Sequence, residues 1–109
     1  METRVRLYWK AVAPLEADYT IFAHLLDGQG RLIAQNDHQP PGGRYPTSLW
    51  DTDEQVIDES TLLIPASTLP GQYRLAVGMY LLATGERLTV DPPHNRVLLD
   101  QPIEVVASR

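Results

Sequence analysis

Three histidines (His24, His38 and His94) and fourteen acidic residues are the groups through which this 109-residue chain could do acid–base, nucleophilic or metal chemistry. Hydrolysis by a nucleophile and a base needs Ser or Thr, His and a carboxylate converging in space. Here the histidines are scattered, and no serine stands in a Gly-x-Ser-x-Gly elbow. The chain has no cysteine, which removes thiol nucleophiles, thiolate zinc sites and disulfides together. His24, flanked by Phe22 and Leu26, reads as a hydrogen-bonded core or interface histidine. Glycosidase chemistry wants two carboxylates about 5–10 Å apart, a spacing that any acidic patch supplies by chance. Asp51, Asp53 and Glu54 place three carboxylates within four residues and form a weak calcium candidate. Calcium takes roughly six to eight oxygen ligands, and the spaced loop of an EF-hand is missing, so a solvated rim is the preferred reading. Gly28-Gln29-Gly30 closes a hairpin and opens no helix, so it does not read as a phosphate loop. No cofactor is expected.

Sugar binding is the sharpest chemistry the residue types suggest. Aromatic rings present flat apolar faces to sugar C–H groups, and nearby carboxylates and amides take up hydroxyl hydrogen bonds. The stretch from Asp37 to Trp50 supplies that mixture, with Asp37, His38, Arg44, Tyr45 and Trp50 as candidate ligand-binding residues beside Gln39. The same aromatic residues have a plainer use, because a long loop needs an anchor. Trp50 and Tyr45 pinning it to the domain is the favoured alternative. Trp9 alternates with Val5 and Leu7 and is assigned to the core.

The net charge is −5, from nine basic and fourteen acidic residues. Nucleic-acid binders usually neutralise phosphates with a basic face, so that class is disfavoured. No Lys or Arg occurs between Tyr45 and Tyr73, where Asp51, Asp53, Glu54, Asp58 and Glu59 form an apparent acidic patch. Arg4, Arg6 and Lys10 cluster near the start. No run is long and apolar enough to span a membrane, and Met1-Glu2-Thr3-Arg4 does not open a signal peptide.

Turn signals recur about every ten residues, with strand-like runs between them, the rhythm of a sandwich or barrel. From Arg4 to Ala11, Val5, Leu7, Trp9 and Ala11 share one face. Asp18–Leu26 is apolar at both parities and reads as a central strand, with a helix from Pro14 as its rival. Asp27-Gly28-Gln29-Gly30 turns it onto Arg31–Asp37. A long irregular stretch from His38 to Asp53 follows, then a strand from about Glu54 to Ile64 whose alternation looks muddled at Asp58-Glu59-Ser60, suggesting an edge or bulge. Pro70-Gly71-Gln72-Tyr73 resembles the tyrosine corner of immunoglobulin-like sandwiches and opens a strand carrying Leu75, Val77, Met79 and Leu81 on one face. A hairpin turn at Ala83–Glu86 leads into Arg87–Val90, and a last strand is expected from Arg96 to Ala107. The fold class expected is all-β: an immunoglobulin-like antiparallel β-sandwich of seven to eight strands spanning 1–109 as one domain.

Four phrases, in this order and spacing, carry a family resemblance: Asp18-Tyr19-Thr20-Ile21-Phe22-Ala23-His24-Leu25-Leu26-Asp27, Gly43-Arg44-Tyr45-Pro46-Thr47-Ser48-Leu49-Trp50, Pro70-Gly71-Gln72-Tyr73 with the strand to Tyr80, and Thr84-Gly85-Glu86-Arg87-Leu88. Together they resemble the C-terminal soluble β-sandwich of bacterial multi-spanning membrane proteins, either glycosyltransferases of the dolichyl-phosphate-mannose mannosyltransferase type or uncharacterised membrane proteins. Where that family often has a Pro-Gly pair after the Trp, this chain has Thr52-Asp53. The resemblance implies a domain excised from a larger membrane protein, on the extracytoplasmic side. Its implied role is that of a non-catalytic accessory contacting glycan, lipid-linked sugar or the membrane domain of the same chain. The alternative is a structural or protein–protein interaction module with no small-molecule ligand.

Overall fold

The computed structural model describes residues 2–40, 43–90, 94–99 and 103–105. Among these the chain is all-β, with strands β1 (Glu2–Lys10), β2 (Thr20–Leu26), β3 (Leu32–His38), β4 (Gln55–Leu63), β5 (Gly71–Tyr80), β6 (Val97–Leu98) and β7 (Ile103–Val105). Among the described residues, the only helical element is a single 3-10 turn at Thr47–Leu49, and no helix is long and apolar enough to cross a membrane.

The strands form two antiparallel sheets. β1 pairs with β4 in one. The other runs β3-β2-β5-β6, and β7 joins the start of β5. Strict alternation along β1 turns Val5 and Leu7 inward, and β2 and β5 answer with Ile21, Ala23, Leu25, Leu75, Val77 and Met79 in the same core. β2 lies between β3 and β5 and is buried on both faces, as its double apolar parity requires. The rival helix from Pro14 does not form, because those residues cannot cover a sheet and pair with two neighbours at once.

The turn chemistry agrees with the sequence. Asp27 Oδ1 accepts from the N–H groups of Gln29 and Arg31, and Gly30 takes the left-handed φ of 78° that lets β3 return along β2. The Tyr73 hydroxyl donates to the Leu69 carbonyl at 2.5 Å, fixing the corner before β5.

Three expectations need correction. Of the two readings of β4, the edge holds and the bulge does not: it pairs only with β1 among the described residues, in an unbroken register from Leu63 to Gln55. Its alternation is regular: Val56, Asp58 and Leu62 are buried with half-buried Ser60 between them, so the apparent muddle is an acid facing inward. Arg87–Val90 is not a strand. Arg87 makes a single bridge to Tyr80, and the Leu88 N–H donates to the Met79 carbonyl. The long final strand is instead two short ones, β6 and β7, pairing with different parts of β5. Pro102 between them lies outside the described residues, as do 106 and 107.

The outer face of the five-stranded sheet has a second small apolar centre. The Phe22 side chain is 1% exposed, and the Arg87 guanidinium lies 4.5 Å from its ring centroid. Gly78 on β5 makes room for it. A methyl group there would sit 2.6 Å from two Phe22 ring atoms. Gly78→Ala is therefore expected to destabilise the domain by about 1–3 kcal/mol, the usual cost of overpacking, in urea denaturation. A variant as stable as the parent would show that the Phe22 ring shifts freely.

Candidate functional site

The five candidate ligand-binding residues do not converge. Asp37 and His38 are adjacent on β3 and therefore point to opposite faces of the sheet. Asp37 turns outward, accepts from the Tyr80 hydroxyl at 2.8 Å and lies 3.6 Å from His24 Nε2. That hydrogen bond raises the Tyr80 phenol pKa. Burial lowers the His24 pKa, only partly offset by Asp37, so this imidazole stays neutral near pH 7. Its ring packs 4.6 Å from Phe22, in the core-or-interface role expected for it.

His38 turns inward and meets Asp58, which is 1% exposed, with Nε2 2.8 and 2.9 Å from the two carboxylate oxygens. Its Nδ1 lies 3.0 Å from the Asn36 side-chain oxygen. The hydrogen bond to Asp58 holds the imidazole pKa above its ordinary range, against the opposing effect of burial. Asp58 is thus removed from the acidic patch, and Glu59 is paired with Arg6 at 3.0 Å across the β1–β4 ladder.

Tyr45 and Trp50 do come together, as anchors. Trp50 is 5% exposed, belongs to the core and donates its indole N–H to the Tyr45 carbonyl at 2.9 Å. The Tyr45 hydroxyl donates to Glu54 at 2.6 Å, which raises its pKa to about 12. The 3-10 turn between them is held by Thr47, fully buried, whose Oγ1 donates to the Ala17 carbonyl and accepts from the Tyr19 N–H. Arg44 is exposed in the turn before Tyr45. Of the three calcium candidates, Glu54 is committed elsewhere. Glu54 Oε1 accepts from the Asp51 N–H and from Tyr45, and Asp53 holds a φ of 67°. Among the described residues, no three His, Asp or Glu side chains group as a metal site would require.

A cleft lies beside this loop. Trp9, Ala11, Pro14, Leu15, Trp50 and Leu88 line a largely apolar hollow of about 300 Å³. Trp9 is half-buried, packing against the core rather than within it. Its indole N–H is buried and has no hydrogen-bond partner among the described residues. A buried donor without an acceptor is uncommon, since desolvating it costs roughly 1–3 kcal/mol. Nothing local in the sequence signals this cleft, because it joins residues 9–15 to 88–90 across the whole fold.

Compared with known proteins, the chain matches no family model, no curated protein and no solved structure.

Two outcomes follow from the loop geometry. Trp50→Ala should cost about 3–5 kcal/mol of stability by denaturant titration, the range for emptying an aromatic core position. A loss under 1 kcal/mol would refute the anchoring role. In an ultraviolet titration, the tyrosine that ionises at about 12 should disappear in Tyr45→Phe and move back toward 10 in Glu54→Gln.

Proposed function

We propose that this chain is a non-catalytic accessory β-sandwich that binds a saccharide in the Trp9–Trp50 cleft. The observation that carries the reading is an apolar hollow lined by Trp9 and Trp50, together with a buried Trp9 indole N–H that has no partner among the described residues. An occupant with both a C–H face and oxygen acceptors matches that combination, and a sugar ring has both. Lys10 and Thr89 at the same cleft add polar groups. The resemblance of the four sequence phrases supports the wider setting: an immunoglobulin-like module on the extracytoplasmic side of a glycosyltransferase-like membrane protein, meeting its glycan or lipid-linked sugar. The non-catalytic part of the reading draws support from His38 and Asp58, which are tied to each other inside the fold, and from His24, which is packed on Phe22.

A second reading, a protein-interaction module, has its own observation. On the outer face of the two-stranded sheet, Tyr8 and Ile57 stand directly opposite each other and are 56% and 49% exposed. Among the described residues, β1 and β4 pair only with each other, so each presents a free edge.

An amide NMR titration with monosaccharides and short oligosaccharides tests both. Saturable shifts of the Trp9 indole N–H and of the amides of 11–15 and 88–90 are expected. Trp9→Phe, which keeps a ring and loses the donor, should weaken binding about 2–10-fold, the worth of one hydrogen bond. No shift with any sugar, together with self-association in sedimentation that Ile57→Lys abolishes, would replace the first reading with the second.

A further inference from the structure

His38 and its neighbours fix a proton count. The Asn36 side-chain nitrogen lies 2.8 Å from the Thr61 carbonyl, which can only accept, so the amide group must face Thr61. The Asn36 oxygen is then the atom directed at His38 Nδ1. On the other side of the ring, Nε2 faces both oxygens of the Asp58 carboxylate. Both ring nitrogens therefore meet acceptors. A neutral imidazole has one N–H and one lone pair, so either tautomer would press a lone pair against an oxygen. With Asp58 ionised, only the imidazolium satisfies the arrangement.

The position of this group matters as much as its charge. His38 ends β3 in the five-stranded sheet, while Asp58 lies in the middle of β4 in the two-stranded sheet. Asn36 spans the same gap through Thr61 on β4. We propose that His38 is a protonation-controlled latch, an imidazolium that clamps the two sheets together through Asp58 and releases them when it loses its proton. The charged groups around it are Asp58 from β4 and Asp37 from its own strand, both acidic, and its β2 neighbour across the pairing is Ile21. Deprotonation leaves the Asp58 carboxylate buried with no countercharge, a costly state for the folded domain.

The sign follows from linkage. A histidine whose folded pKa is raised contributes stability that is complete below its unfolded pKa of 6.5 and is lost as pH rises through the higher folded value. The latch therefore opens toward alkaline pH, starting at β4 and its partner β1.

Imidazole nitrogen NMR of the intact domain gives the first test, with His24 as an internal contrast because burial lowers its pKa. Both His38 ring nitrogens should be protonated at pH 6.5, with a titration midpoint above that value. Hydrogen exchange, corrected for the intrinsic pH dependence, should then show protection falling in β1 and β4 before β2 and β5 across the His38 titration. His38→Gln, which keeps a donor to Asp58 but no charge, should lose the pH dependence of stability in that window. A neutral single-tautomer ring at pH 6.5, or a midpoint at or below 6.5, would overturn the proposal. So would equal loss of protection in both sheets. If His38→Gln does not fold, the measurements on the parent domain still decide.

Discussion

β2 must be covered on both faces, and much of the structure follows from that requirement. Six of its seven residues are buried, while its backbone is paired on both sides by β3 and β5. On the inner face, Ile21, Ala23 and Leu25 share a core with residues of β1, β4 and the long loop. On the outer face no second sheet forms among the described residues, and Phe22 is covered by side chains: His24 alongside and Arg87 above. The glycine at position 78 belongs to the same solution, because the neighbouring strand must yield space for the ring. Burial of this one strand thus dictates choices on β5 and on the turn that follows it.

Polar groups inside the fold are handled by pairing rather than by avoidance. Asp58 meets His38, Thr47 ties the long loop to the segment before β2, and Thr20 accepts from the Gln39 side chain. Each pairing joins elements distant in sequence, so the polar contacts add registry to a core whose apolar packing alone is permissive. The long loop gains its order this way. Its 3-10 turn, its buried indole and its tyrosine all hold backbone or carboxylate partners, leaving it a packed structural segment rather than an open arm.

The strands were legible where a physical pattern was local. Alternation revealed β1, double apolar parity revealed β2, and Asp-Gly-Gln-Gly revealed the hairpin between β2 and β3. The tyrosine corner was legible too, because Pro-Gly before an aromatic-led strand leaves the hydroxyl few places to go. Asp58 was misread for an instructive reason. Val56-x-Asp58-x-Ser60-x-Leu62 is a perfect inward series, yet an acid is ordinarily assigned to water, so composition outweighed periodicity. Its partner, twenty residues earlier at the end of β3, could not be seen without the pairing of the sheets. The candidate site fared likewise. Trp50 and Tyr45 were foreseen as anchors, but whether Asp37 and His38 shared a side depended only on strand parity, which places adjacent residues apart. The cleft beside Trp9 required the tertiary fold.

The pairing of β1 with β4 sets Glu2 opposite Leu63 and Lys10 opposite Gln55. Everything between, including the β2–β3 hairpin and the anchored loop, is enclosed by that single ladder. Closing so long a loop costs chain entropy before any contact returns it, whereas the β2–β3 hairpin closes across a few residues. The order of assembly is therefore written into the topology: the hairpin can form from local contacts, and the opening strand has to wait for its distant partner. A chain emerging from synthesis carries its first strand unpaired until residue 55 has appeared, and cannot complete that pairing before residue 63.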